Sequence, residues 1–213
     1  MGARLSLLPR SFFDRPVLTV ASALLGCEIR AGAVSVRLTE VEAYEGLQDP
    51  ASHAYRGPTP RTQVMFGPPG FLYVYFTYGM HWCANLVCGP DGTASAVLLR
   101  AGEVTAGHDI ARHRRPASRA DRDLARGPAR LASCLGLTGA DSGLDVCEPA
   151  GALTVVAANR PVGEVESGPR VGIRSATERP WRFWLAGDPT VSTFRPGALR
   201  KRSPQKDDLR QRP

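Results

Sequence analysis

The chain has 213 residues, 43% hydrophobic and 22% charged, a composition that can bury a sizeable core and excludes a wholly disordered chain. Its 27 basic and 20 acidic residues leave a formal charge of +7, and no window approaches the roughly 18 consecutive apolar residues of a membrane span. The length predicts one domain.

Met1 to Arg10 has too short an apolar run for a signal peptide, so residues 1–10 read as a leader and the expected location is the cytoplasm, with the nucleoid in it. Phe12-Phe13-Asp14-Arg15-Pro16 then leads into a helix. Asp14 is placed to cap it, Pro16 fits the first turn, Leu18, Ala21, Leu24 and Leu25 share a face, and Gly26 ends it. From Val34 the period becomes two: Val34, Val36 and Leu38 alternate with Ser35, Arg37 and Thr39, as in a half-buried strand. Asp49 to Pro69 is rich in Pro, Gly, Ser and Thr and reads as a long loop.

Phe71 to Tyr78 and His81 to Cys88 are strands joined by a tight connection at Tyr78-Gly79-Met80. Gly89-Pro90-Asp91-Gly92 is a turn, and Ala94 to Arg100 returns as a third strand of an antiparallel meander. Between Arg112 and Arg130 stand seven arginines and two aspartates, either a phosphate-binding surface or a solvated helix face. Gly127-Pro128-Ala129 opens a helix with Leu131, Cys134 and Leu135 inward, ended by Gly136. Leu153–Ala157 and Trp181–Leu185 read as later strands. The predicted class is α+β: a single compact domain over residues 11–195, with a mostly antiparallel sheet, flanking helices and a protruding β-hairpin. Residues 196–213 form a tail expected to be disordered. Arg200 to Pro213 has six basic and two acidic residues, so it supplies +4 of the charge, as a solvated tail or as an arm for a polyanion.

The five cysteines (27, 83, 88, 134, 147) form no CxxC and read as reduced thiols. The four histidines form neither HxxxH nor HExxH, and no metal or cofactor is expected. No GxxxxGK[ST] occurs, and the only lysines are Lys201 and Lys206, so a P-loop nucleotide site is excluded.

Several residues carry chemistry. If the alternation from Val34 runs on unbroken, Glu40, Glu42 and Tyr44 join the apolar face, and a buried carboxylate there suits a general base. A bulge would instead turn one or both glutamates to solvent. All five tyrosines (44, 55, 73, 75, 78) fall in one 35-residue window. Tyr73 and Tyr75 share a strand face. Tyr78, beside a glycine at a hairpin tip, is poorly placed for a core and well placed as a wedge. Asn85 is an amide in an apolar strand and needs partners. His53 lies in the long loop, and Arg100 ends the run Val97-Leu98-Leu99.

Taken in order, Glu40-Val41-Glu42-Ala43-Tyr44, His53, Thr59-Pro60-Arg61, Met65-Phe66, Pro69-Gly70, Tyr73-Val74-Tyr75, Tyr78-Gly79-Met80, Cys83, Asn85 and Leu98-Leu99-Arg100-Ala101 resemble the alkyladenine (3-methyladenine) DNA glycosylases. Phe12 to Pro16, Gly127-Pro128 and Arg170-Val171-Gly172 fit the same family, so the resemblance covers about Arg10 to Phe194. It implies an enzyme that pushes a hairpin into the DNA minor groove and hydrolyses the N-glycosidic bond of an alkylated or deaminated purine. Its partner is double-stranded DNA containing damaged purines, and it acts as a monomer. By the same resemblance Tyr78 is the intercalating wedge. Tyr44, His53 and Tyr75 line the base pocket, and Asn85 rejects guanine's exocyclic amine. Glu42 is the general base, and Arg100 and the Val171 carbonyl hold the attacking water. Arg61, Met65, Gly79 and Met80 are candidates for contacts with the DNA backbone. His81 stands where an aromatic is more usual. The scarcity of lysine predicts a monofunctional enzyme, since strand cleavage normally needs an amine. The competing reading is a non-catalytic nucleic-acid-binding module of the same fold, which has no use for a buried carboxylate near DNA.

Overall fold

The computed structural model describes residues 6–197. Its elements in chain order are α1 (Arg10–Phe13), α2 (Val17–Leu24), β1 (Glu28–Ala31), β2 (Val34–Glu45), β3 (Leu72–Thr77), β4 (His81–Cys88), β5 (Ser95–Ala106), α3 (His108–Arg114), β6 (Ala125–Arg126), α4 (Pro128–Leu135), β7 (Leu153–Val156), β8 (Val165–Gly168) and β9 (Arg182–Leu185). The strands form one sheet in the order β3-β4-β5-β2-β1-β7, with β6 on β5 and β9 between β2 and β8. The ladders are antiparallel throughout, which makes this an α+β domain with an open sheet. No helix among the described residues is long and apolar enough to cross a membrane.

The N-terminal helix differs from its sequence reading in detail. Pro16, not Asp14, holds the N-cap position of α2, and no side chain caps it. Val17, Val20, Ala21 and Leu24 face the core, while Leu18 is turned outward. Residues ahead of it, read as a leader, are tied to the fold: Leu7 bridges Val156, Leu8 is buried, and Arg10 pairs with Asp145. The basic stretch from Arg200 lies outside the described residues. Helix α4 follows its sequence signals: Pro128 starts it, Leu131, Cys134 and Leu135 are buried, and Gly136 closes it in the left-handed region.

Strand β2 was expected to be half-buried and is buried on both faces. The segment Asp188–Ser192 covers its polar face. Asp188 accepts from Arg37 Nη2 at 2.6 Å, the Thr190 hydroxyl meets that of Thr39 at 2.8 Å, and the Ser192 amide donates to Glu40. The strand also carries a bulge where it faces β5. Thr39 has no partner across the ladder, Glu40 pairs with Ala101, and on the opposite strand Arg100 is the unpaired residue. One extra residue on each strand cancels the other, so Leu38↔Gly102 and Val41↔Leu99 keep the same register. Both glutamates are fully buried, as they would be on either face of a strand covered on both sides.

Strands β3 and β4 make a hairpin whose turn, Thr77–Met80, has positive φ at both central residues, Tyr78 (51°) and Gly79 (67°). Such turns match the twist of the strands. Glycine enters that conformation freely, whereas a tyrosine pays a steric cost there.

Candidate active site

The C-terminal half of β2, parts of β3, β4 and β5, the loop Pro50–His53, the start of α4 and the segments 171–175 and 195–197 enclose an open cavity of about 990 Å³. Tyr44, His53, Tyr73, Tyr75, Asn85, Glu42 and Arg100 all line it. Seven residues separate His53 from the end of β2 and eighteen from the start of β3, so the loop must fold back to bring these groups together.

Glu42 is fully buried, accepts two hydrogen bonds and makes one ion-pair contact. The Val171 amide donates to Oε1 at 2.6 Å, the Tyr44 hydroxyl donates to Oε2 at 2.8 Å, and Arg100 Nη1 stands 3.2 Å from Oε1. A carboxylate offers about four acceptor positions, so one is left for a water from the cavity. The tyrosine is held in its donor form: burial first, and Glu42 second, push the Tyr44 hydroxyl well above its ordinary value. The same network keeps Arg100 charged. Burial would lower its guanidinium, but Glu42 and Glu40 outweigh burial and raise it. Val171 thus enters the site through its amide.

The aromatic wall is built from two strands' worth of alternation and one loop. Tyr73 and Tyr75 stack at 5.7 Å between centroids, and His53 stands edge-on to Tyr75 at 4.5 Å. The Tyr73 hydroxyl lies 3.3 Å from His53 Nδ1. Burial, with Arg61 second, lowers the His53 imidazole from 6.5 to about 4, so the ring is neutral at pH 7 although one edge is exposed. Burial, with Cys83 second, raises the Tyr75 phenol. A wall of neutral rings suits a cationic purine, whose charge is attracted to aromatic faces. Asn85 is buried with Nδ2 donating to the Tyr73 carbonyl at 3.2 Å, which leaves its amide oxygen unspent at the cavity.

At the rim, Tyr78 is 86% exposed and Met80 68%, with Gly79 between them, so the hairpin tip projects from the body. His81 lines the rim beside it. Arg61 is exposed with its guanidinium 5.3 Å from the centroid of Tyr75. Met65, by contrast, is 3% exposed in a small core with Ala54, Tyr73 and Ala96, so its side chain is not on the outer surface. Three of the seven arginines from 112 to 130 are engaged within the protein. Arg112 pairs with Asp109 and Asp121, Arg114 donates to the Cys134 carbonyl, and Arg126 donates to the Val191 carbonyl.

Sequence reasoning left several supporting residues without a role. Glu40 is buried and accepts from Arg100 Nε and Arg182 Nε, each at 2.7 Å, and from the amide of Ser192 at 2.6 Å. Burial would raise its carboxyl, but Arg100 and Arg182 hold it below the usual carboxylate range. Arg170 is buried against Asp49, donates to the Ala43 carbonyl at 2.9 Å, and places its guanidinium 4.6 Å from the Tyr44 ring centroid. It thereby fixes the backbone that delivers the Val171 amide. The glutamate pair Glu40/Glu42 was a signal for the first of these. The Arg170–Asp49 pair spans 121 residues and had none.

Residues 11–189 match the family model of methylpurine-DNA glycosylases (MPG). A protein of Frankia casuarinae is 58% identical over 87% of this chain and 92% of its own length. Relatives from Streptomyces avermitilis (54%, over 92% of this chain and 95% of theirs) and Nocardia farcinica (51%, over 88% and 93%) follow. All three carry the name "Putative 3-methyladenine DNA glycosylase". Matches over this share of the chain mean that it belongs to the methylpurine-DNA glycosylase family.

Proposed function

We propose that this protein is a base-excision-repair DNA glycosylase that extrudes an alkylated or deaminated purine from duplex DNA and hydrolyses its N-glycosidic bond. Chemistry at C1′ requires the base out of the stack. Extrusion costs a few kcal/mol, and stacking worth about 1–3 kcal/mol per base offsets it. Tyr78 fills the vacated space in the duplex, and Tyr44, His53 and Tyr75 receive the base. Asn85 discriminates against guanine by clashing with its exocyclic amine. Arg61, Gly79, Met80 and the backbone at Met65 contact the DNA backbone.

Glu42 takes a proton from a water held with Arg100 and the Val171 carbonyl. The water oxygen bonds to C1′, and the electrons of the glycosidic bond leave on the purine, which an alkylated, cationic base accepts readily. The product is an abasic site. No lysine precedes Lys201, so only the N-terminal amine or the tail could form a Schiff base, which favours a monofunctional enzyme. The enzyme works as a monomer on double-stranded DNA.

The observation that carries this reading is the fully buried Glu42 carboxylate facing a cavity walled by aromatic rings. A pure nucleic-acid binder gains nothing from a carboxylate there.

The test is single-turnover excision from a duplex oligonucleotide bearing one hypoxanthine or one alkylated purine, read as strand breaks after alkali. Wild type is expected to yield breaks at the lesion with alkali and none without it. Glu42→Gln is expected to lose about 10²–10⁴-fold in rate and keep its gel shift. A near wild-type rate in that variant overturns the general-base assignment. Nicking without alkali, by protein free of abasic-site nucleases, overturns the monofunctional one.

A further inference from the structure

Two carboxylates and two guanidinia alternate in a buried row beneath the cavity: Glu42, Arg100, Glu40, Arg182. Their side chains are 0%, 6%, 0% and 6% exposed. Glu42 alone would neutralise Arg100, so the second carboxylate needs a reason. Burying an ion pair is costly even when the pair is well formed, and β2 buries two acids two residues apart.

An Arg and a carboxylate left to themselves close into a fork, with two parallel N–H···O bonds that occupy both carboxylate oxygens. Such a fork on Glu42 would displace Tyr44 from Oε2 and take up the acceptor position needed by a water. The observed geometry is different. Arg100 turns its Nε to Glu40 Oε1 at 2.7 Å and its Nη2 toward the Ser192 hydroxyl at 3.4 Å, and only Nη1 reaches Glu42, at 3.2 Å. Glu40 is itself locked. It accepts from Arg182 Nε, the Ser192 amide and the Ser192 hydroxyl (3.0 Å), so it has no freedom to follow Arg100. The unpaired position of Arg100 in the β5 ladder sets the guanidinium between the two acids.

We propose that Glu40 is a positioning residue: by holding Arg100 through Nε, it prevents a closed fork on Glu42 and so keeps one oxygen of the general base open to water. This rests on the general-base reading of Glu42. It assigns Glu40 no contact with DNA, water or the base.

The experiment measures single-turnover excision and DNA affinity separately for Glu40→Gln, with the folded fraction checked by thermal unfolding. The expected result is an excision rate lower by about 10- to 100-fold, the span open to residues coupled in one network, with affinity for lesion-bearing duplex unchanged. The effect should vanish in an Arg100→Met background, because Glu40 acts only through Arg100. Where Glu40→Gln leaves Arg182 uncompensated and unfolds the protein, Glu40→Gln combined with Arg182→Met removes both charges together and is read in the same way. A wild-type rate in the folded variant overturns the proposal. So does an equal loss of rate and affinity, or a loss that simply multiplies with that of Arg100→Met, since either marks a merely structural role. If Glu42→Gln is slow while Glu40→Gln is not, this proposal alone fails. If wild type excises no lesion, the reading of Glu42 fails first and takes this one with it.

Discussion

The floor of the cavity and the tip of the hairpin are opposites. At the floor, Glu42 has two hydrogen-bond donors and an ion pair, Arg100 faces two acids, and every charged side chain is nearly or fully buried. At the tip, Tyr78 is 86% exposed, sits at positive φ and has no packing around its ring. A group that must move a proton at a defined atom gains from being over-determined. A group that must enter a duplex gains from being displayed, and its strained backbone holds it out before DNA arrives. On the proposed function, chemistry and substrate capture thus fall in regions of very different burial.

Breaking the floor should have the largest effects. Glu42→Gln removes the general base and heads the ranking at about 10²–10⁴-fold in excision rate. Next comes Arg170→Met. It leaves the Asp49 carboxylate buried without its partner, which costs about 3–5 kcal/mol for such a pair. Urea denaturation should show a lower midpoint, and a variant as stable as wild type would remove Arg170 from the architecture of the site.

Altering the tip should leave stability alone. Tyr78→Ser is expected to unfold at the wild-type temperature, yet to slow excision of neutral hypoxanthine by the equivalent of about 1–3 kcal/mol of lost stacking. A cationic methylpurine, already a good leaving group, should suffer less. Equal excision of hypoxanthine by both proteins would mean that the wedge is elsewhere.

The smallest effect lies on the cavity wall. The His53 imidazole is lowered to about 4 in the folded state from 6.5, so between those values the unfolded chain binds a proton the folded one does not. Stability therefore rises with pH across that window and falls as pH drops through it. A His53→Gln variant should show a shallower decline in unfolding midpoint between pH 6.5 and 4. An unchanged slope would mean that the ring titrates normally.

The sequence made the hairpin, α4 and the cast of the site readable, because each has local punctuation. Gly79 at a turn, Pro128 and Gly136 at helix ends, and Tyr73/Tyr75 at a two-residue spacing are signals of near neighbours. The burial of β2 was not readable. Its polar residues Ser35, Arg37 and Thr39 look solvent-facing until Asp188, Thr190 and Ser192 arrive from some 150 residues away with matching polar groups. That covering segment has no period of its own. The fate of Glu40 and Glu42 was undecided for a related reason: a bulge belongs to two strands at once, and one strand's alternation cannot announce it. Strand β8, with Val165, Glu166 and Ser167 all exposed, had no apolar pattern to betray it.

The paired irregularity at Thr39 and Arg100 has a consequence for how such chains can change length. Losing either residue alone would slide the remainder of one strand by a single step, and a one-step slide turns every side chain to the opposite side of the sheet. The carboxylate at 42 would then look away from the hollow. Losing both would restore the alignment beyond them and take the guanidinium with it. Descendants of this chain can therefore shorten these two strands only as a matched set, and never without surrendering the guanidinium beneath the cavity.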